Sequence, residues 1–365
     1  MVISGKSYKV PSMKEIENIE WNGCNVVSTF SGGGGSCLGY RMAGFRVLYA
    51  NEFIEEARNT YKANNPNSIV DGRDIRNVTA ESILEQTGLK KGELDIFDGS
   101  PPCSAFSMSG SREKGWGVQK NYSNTKQRVD DLFFEYARIL KGLQPKVFIA
   151  ENVSGLIKGK AKGYFNNIIT ELRNCGYNVQ AGLVSAMWLG VPQNRQRIIF
   201  IGVRKDLNIM PSFPKPFDYY VTLGEALKGV KNDEKQVQKL LQAAKTYKYG
   251  YVLRKLEKNP KKAVSGSKVM NGSYFNLIRE SLYQPCSTIC QMNGDVSAAG
   301  NCHPLEDRKF TIAELKRITS IPDDFVLTGT FEEQWERLGR MVPPLMIKAI
   351  AKNVYKEILS KCKTK

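Results

Sequence analysis

A chain of 365 residues, 41% hydrophobic and 24% charged, is long enough for one large α/β domain and a smaller one, and it has no apolar run that could cross a bilayer. Lysine and arginine outnumber aspartate and glutamate by 53 to 36, a formal charge of +17, so a polyanionic partner is expected, with nucleic acid first. A membrane surface is disfavoured for want of a basic amphipathic anchor, and eight cysteines without a Cys-x-x-Cys pair argue for reduced thiols rather than a disulfide framework.

In chain order, Asn25-Val-Val-Ser-Thr-Phe30 reads as a first strand, Ser31 to Gly35 as a glycine loop, and Cys37 to Phe45 as a helix with apolar residues at helical spacing. Val47 to Ala50 predicts a second strand ending in Asn51-Glu52, Glu56 to Asn64 a second helix, and Asp74-Ile75 follows a turn. Leu94-Asp95-Ile96-Phe97 reads as a short buried strand that Pro101-Pro102 cannot continue. Cys103 therefore falls on a stiff loop at the strand's carboxyl end, the edge at which open α/β sheets bind ligands. Asp131 to Leu143 and Tyr164 to Cys175 predict helices, and Lys146 to Ala150 and Arg197 to Val203 predict buried strands. Strands alternating with helices imply a Rossmann-like, doubly wound, mostly parallel α/β sheet.

After Val203 the pattern changes to prolines and then to a lysine-rich, tyrosine-containing stretch from Lys231 to Lys262, which suits contact with phosphates and bases or a solvated helix face. Helical periodicity returns at Phe310 to Ile318, with Thr311 as a cap and Glu314 three residues on, and Pro343-Pro344 introduces a last helix, Leu345 to Leu359. The expected division is a large first domain over 1–204, a second domain over 205–300, and a return segment over 301–365 that completes the first domain. No signal-peptide pattern occupies Met1 to Pro11, so the expected location is the cytoplasm or the compartment that holds the chain's nucleic acid.

A glycine loop between a first strand and a helix lets the backbone approach an adenosine-bearing ligand, and an acidic residue ending the second strand, here Glu52, can hold ribose hydroxyls. The glycines depart from the dinucleotide spacing and nothing supplies a hydride-transfer residue, so S-adenosylmethionine fits better than a nicotinamide. The single histidine, His303, argues against Ser-His-Asp catalysis, and Cys286, Cys290, Cys302 and His303 fit no common zinc spacing, so no metal site is expected.

Taken together and in order, these segments resemble the DNA cytosine-5 methyltransferases over nearly the whole chain. Phe30-Ser31-Gly32-Gly33-Gly34-Gly35 resembles the family's cofactor loop, Glu52-Phe53 its ribose and adenine contacts, Asp74-Ile75 a further adenine contact, and Asp131-Leu132 another cofactor segment. Pro102-Cys103 is similar to the catalytic Pro-Cys, Glu151-Asn152-Val153 to the Glu-Asn-Val motif, and Gln193 to Arg197 to the Gln-x-Arg-x-Arg motif. His303-Pro304, Arg308, Thr311, Glu314, Pro322-Asp323 and Phe325 resemble the framework that supports target recognition.

The resemblance implies a smaller DNA-recognition domain beside the methyltransferase sheet, S-adenosylmethionine as cofactor and duplex DNA as partner, with a monomeric enzyme and a separate cognate restriction endonuclease as further expectations. Cytosine C5 is a poor nucleophile until a thiolate adds at C6, and Cys103 is the expected thiolate. Glu151 near N3 and Arg197 near O2, with Arg195 in support, are expected to stabilise the ring as charge builds on it. The target base must be flipped out to reach such a pocket, and Ser104 to Asn124 is an expected lid.

One departure concerns the last motif, which the family writes Gly-Asn-x-Val-Pro and this chain writes Gly339-Arg340-Met341-Val342-Pro343. A guanidinium about 5 Å from a sulfonium costs about 3 kcal/mol at an effective dielectric near 20, so Arg340 calls for an anionic partner. Three readings follow: Arg340 turns to a DNA phosphate or a nearby carboxylate; it spoils cofactor binding; or it clamps the extra carboxylate of carboxy-S-adenosylmethionine, making the product 5-carboxymethylcytosine. A transfer-RNA cytosine-5 methyltransferase and a catalytically silent DNA-binding regulator are the rival functions.

Overall fold

The computed structural model describes residues 8–102, 120–122, 125–127, 132–157 and 161–362. The chain divides into two compact units. One comprises Glu17–Val184, Gln196–Lys215 and Ile347–Lys365; the other comprises Met1–Ile16, Ser185–Arg195 and Pro216–Met346.

The first unit is built on a seven-stranded sheet: β1 (Asn25–Thr29), β2 (Arg46–Asn51), β3 (Ile69–Asp71), β4 (Ile96–Gly99), β5 (Val147–Val153), β6 (Tyr177–Ser185) and β7 (Gln196–Arg204), in the spatial order β3-β2-β1-β4-β5-β7-β6. Strands β3, β2, β1, β4 and β5 run parallel, and β7 is antiparallel to β5. The order reverses between β1 and β4, which opens the crevice that such sheets use for ligands. Val26, Val27, Ile96, Phe97, Phe148 and Ile201 are buried, as befits strands covered on both faces. Helices α1 (Gly35–Met42), α2 (Glu55–Asn64), α3 (Ala80–Thr87), α4 (Leu132–Leu143) and α5 (Ala161–Asn174) follow the strands, giving the doubly wound fold expected.

Several boundaries moved for identifiable reasons. The fourth strand starts at Ile96 rather than Leu94, because the Asp95 carboxylate is used in accepting from the Asn25 N–H at 2.8 Å and pairing with Lys146. Helix α1 ends at Met42 rather than Phe45, since Gly44 turns the chain at φ 86°. Strand β6 escaped prediction because Asn178, Gln180 and Gly182 interrupt its apolar residues and leave it only half buried. The last helix begins at Pro344, a residue preorganised for a first helical position, and gives way after Val354 to a wider turn, Tyr355–Leu359.

The second unit takes in more of the chain than the expected 205–300. Helices α6 (Glu234–Thr246) and α7 (Lys248–Arg254) carry the lysine-rich stretch, burying Val237, Leu240, Tyr249 and Leu253 and leaving Lys235, Lys239 and Lys245 exposed. Helices α8 (Ile312–Ile318) and α9 (Phe331–Arg340), expected with the first domain, belong here because their polar groups are tied to this unit. Thr311 and Glu314 bond to Asn232, the Ile312 N–H donates to Gln236, and the Trp335 indole donates to the Cys290 carbonyl. Thr311 and Glu314 also form the reciprocal capping box that their spacing predicted. From Ile347 onward the chain joins the sheet unit.

Candidate active site

Five parallel strands, β3, β2, β1, β4 and β5, deliver their carboxyl ends to one edge of the sheet, and antiparallel β7 starts there. The functional residues of this unit gather along that edge.

After β1 the backbone turns through Phe30 at φ 54°, a conformation that costs a non-glycine residue energy, and through Gly32 at φ 55°. Gly34 at φ 94° then opens α1, and a Cβ there would press to 3.1 Å against Asn65 and Tyr61. A Cβ on Gly32 would meet nothing within 4 Å, so the loop has packing on one side and open space on the other. Glu52, at the end of β2, accepts from the Gly32 N–H and the Ile54 N–H, each at 2.7 Å. Ser31 donates its N–H to the Asn51 carbonyl at 3.1 Å. Gly33 and Gly35 are buried and Phe53 is half-buried. Asp74 accepts from the Arg76 N–H and pairs with its guanidinium at 3.0 Å, while Ile75 and Leu132 lie in the core. A glycine cradle with free space beside it, a carboxylate at the next strand end and an apolar floor fit an adenosine-bearing cofactor; Glu52, Phe53 and Ile75 would contact its nucleoside.

At the neighbouring strand ends, Asn152 on β5 donates its side-chain amide to the Pro101 carbonyl at 3.1 Å, fastening the segment that leads to Pro102, which is half-buried. Cys103, Asp131 and most of the expected lid, Ser104 to Asn124, lie outside the described residues. Glu151 and Arg197 meet across the antiparallel β5–β7 pair, where Arg197 stands opposite Val153 and Ile199 opposite Glu151. Side chains two apart on a strand share a face, so the two are diagonal neighbours, and Arg197 Nε lies 2.8 Å from Glu151 Oε1. Both are largely buried, at 15% and 13% side-chain exposure, so the pair is poorly screened by solvent.

Asp98, the third residue of β4, is a functional candidate that the sequence reading missed. It is 3% exposed and accepts from Ser28 Oγ at 2.7 Å, Ser36 Oγ at 3.0 Å and the Tyr40 hydroxyl at 2.9 Å. Burial raises its pKa to about 6 against the lowering effect of those three hydroxyls. The sequence signal was a carboxylate between apolar residues and a glycine at the sheet's carboxyl edge.

In the other unit, Arg195 is 3% exposed and donates to the main-chain carbonyls of Ile289, Gly339 and Arg340. A Cβ on Gly339 would come within 2.6 Å of the Gln291 nitrogen, which explains the glycine at the end of α9. Arg340 pairs with Glu336 one turn back at 2.5 Å, and Val342 is buried. Arg195 and Arg340 therefore have described partners within their own unit. Burial pushes the thiols of Cys37 and Cys302 up to about 12 and that of Cys175 to about 11, which makes them inert. Among the described residues no cluster of His, Cys, Asp and Glu could hold a metal ion, and no helix is long and apolar enough to cross a membrane.

The strand order and the glycine cradle define the S-adenosylmethionine-dependent methyltransferase fold. The family described as C-5 cytosine-specific DNA methylase matches residues 24–356, and the chain belongs to that family. It is 30% identical to the Type II methyltransferase M.NgoFVII of Neisseria gonorrhoeae, over 93% of this chain and 89% of that one. With M1.HphI of Haemophilus parahaemolyticus the identity is 32%, over 90% and 86%. With M.NgoPII of Neisseria gonorrhoeae it is 38%, over 53% of this chain and 52% of the relative. Among solved structures, a candidate DNA modification methyltransferase encoded within an E. coli prophage superposes with a TM-score of 0.69 at 25% identity, covering 92% of this chain and 99% of its own. A DNMT2 variant of Spodoptera frugiperda shares the fold, with a TM-score of 0.63 at 18% identity over 89% and 97% of the two chains.

Proposed function

We propose that this chain is a sequence-specific enzyme that transfers a methyl group to C5 of cytosine flipped out of duplex DNA, through a covalent bond between Cys103 and C6. The Glu151–Arg197 pair at 2.8 Å, on the same sheet edge as the Gly32 cradle and the tethered Pro101, carries this reading.

Cys103 adds as thiolate to C6, and negative charge flows into the ring toward N3 and O2. Once the base is bound, Glu151 takes up a proton that it shares with N3, and the Arg197 guanidinium, already aligned by Glu151, faces O2. Asn152 keeps the backbone before Cys103 in place by holding the Pro101 carbonyl. S-adenosylmethionine, held by Glu52, Phe53 and Ile75, would supply an electrophilic methyl carbon that bonds to C5 as its bond to sulfur breaks, leaving S-adenosylhomocysteine. Loss of the C5 proton to a base and expulsion of Cys103 restore the aromatic ring. Arg195, two residues before Arg197, is held by the carbonyls at the end of α9.

The relatives carry names of Type II methyltransferases of bacteria, which supports a place in restriction and modification in a prokaryotic cell. The carboxymethyl alternative required an anion for Arg340, and Glu336 supplies one within the chain, which favours methyl transfer from ordinary S-adenosylmethionine.

A duplex containing 5-fluorocytosine tests the covalent step, since fluorine at C5 cannot leave as a proton. The expected result is a denaturation-resistant complex that needs S-adenosylmethionine and is absent in Cys103→Ala. A complex that persists in Cys103→Ala, or forms with transfer RNA and not with duplex DNA, would overturn the assignment.

A further inference from the structure

We infer that Asp98 is a positioning residue whose ionised carboxylate sets the hydrogen-bond direction of the cofactor loop, so that its protonation weakens cofactor binding. This rests on the proposal that S-adenosylmethionine occupies the loop between β1 and α1.

Asp98 joins three elements. It stands in register with Ser28 across the parallel β1–β4 pair, and its remaining donors, Ser36 and Tyr40, lie on the first two turns of α1. Ser28 in turn accepts from the Ser31 hydroxyl at 3.1 Å, and Ser31 is the residue that begins the glycine loop. An ionised carboxylate can only accept, so all three hydroxyls must point their protons at Asp98. That leaves a lone pair on Ser28 Oγ free for Ser31, and the relay runs in one direction, Ser31 to Ser28 to Asp98. A protonated carboxyl must donate to one of these neighbours instead. If that neighbour is Ser28, its own hydroxyl proton is turned away from Asp98 and becomes able to point at Ser31, so the relay no longer has a fixed direction.

The surroundings leave the carboxylate easy to protonate. All its side-chain donors among the described residues are hydroxyls. The charged and titratable groups that face it are Cys37 and Tyr40 on α1, Tyr136 on α4 and Glu151 on β5. Glu151 is the anion among them, and it raises the Asp98 pKa further, after burial. With a pKa near 6 the carboxylate is ionised at pH 8 and largely protonated by pH 5.

The test is calorimetric titration of S-adenosylmethionine into the full-length protein between pH 8 and pH 5, for wild type, Asp98→Asn and Ser28→Ala, with thermal unfolding of each ligand-free protein alongside. The expected wild-type affinity is constant at pH 7 to 8 and declines below about pH 6. Asp98→Asn is expected to bind about tenfold more weakly at pH 8, the worth of a hydrogen bond to a charged group, and to show no decline below pH 6. Because the same ligand is titrated into both proteins, its own ionisation cancels. Ser28→Ala removes the relay and keeps the carboxylate; it is expected to lose affinity at pH 8 with a melting temperature close to wild type, and it decides the matter if Asp98→Asn does not fold. Wild-type affinity at pH 8 in both variants, or the same pH dependence in wild type and Asp98→Asn, would overturn the inference. A folded wild type that binds no S-adenosylmethionine at pH 8 would remove the cofactor reading itself, and this inference with it.

Discussion

Two carboxylates are buried to the same 3% exposure, Asp98 in the sheet unit and Glu314 in the other, and their surroundings are opposite. Glu314 is gripped by Arg308 through two hydrogen bonds of 2.8 Å, caps the Thr311 N–H, and has its pKa held below the usual carboxylate range by that guanidinium despite burial. Asp98 has only hydroxyl donors among the described residues, and burial carries its pKa up to about 6. The contrast separates two uses of a buried charge. In the second unit, charge is neutralised and serves stability; at the sheet edge it is kept poised, and the fold tolerates the cost there.

The sharpest way to break this contrast is to remove one charge from each side. Glu151→Gln is expected to reduce kcat for methyl transfer by about 10²- to 10⁴-fold, the range for loss of a general acid, with little change in the melting temperature. Single-turnover kinetics and a thermal melt check it, and a large loss of stability with activity intact would erase the distinction. Arg308→Met should do the reverse: it strands Glu314 and Glu306 and is expected to destabilise the protein by about 3 to 5 kcal/mol in a denaturant titration, with kcat of the folded fraction near wild type.

The two carboxylates should also respond to pH with opposite sign. A raised pKa makes the Asp98 contribution to stability fully present below about pH 4 and lost as pH rises through about 6, a difference of roughly 3 kcal/mol. A lowered pKa makes the Glu314 contribution present above about pH 4.5 and lost as pH falls below it. Unfolding free energies of wild type, Asp98→Asn and Glu314→Gln between pH 4 and 8 are expected to show the first variant gaining on wild type as pH rises, and the second losing most where Glu314 is ionised. The smallest effect is expected for Arg340→Asn, which breaks one partly exposed pair with Glu336: a few tenths of a kcal/mol in stability and no change in cofactor preference, read by binding competition between S-adenosylmethionine and its carboxy derivative.

Much of this was legible in the chain before any coordinates. The alternation of apolar runs with helical spacing gave the doubly wound sheet, because buried central strands begin with unbroken apolar runs such as Val147 to Ala150. The capping box at Thr311 and Glu314 could be read from spacing alone, since it is a local structure. What escaped depends on contacts distant in sequence. The Ser28–Asp98 bond spans 70 residues and follows from strand register, which single-strand patterns do not encode. The Arg340–Glu336 pair was within reach, since residues four apart on a helix are neighbours, but the helix Phe331–Arg340 had not been predicted. The division of the chain at 216 and 346 rather than near 205 and 300 reflects hydrogen bonds from α8 and α9 to Asn232, Gln236 and Cys290.

The most direct test of the central claim is nucleoside mass spectrometry of duplex DNA treated with the purified protein and, separately, S-adenosylmethionine or carboxy-S-adenosylmethionine. The account predicts 5-methylcytosine from the first and little product from the second; preferential 5-carboxymethylcytosine, or no modified cytosine in DNA from a folded protein, would contradict it.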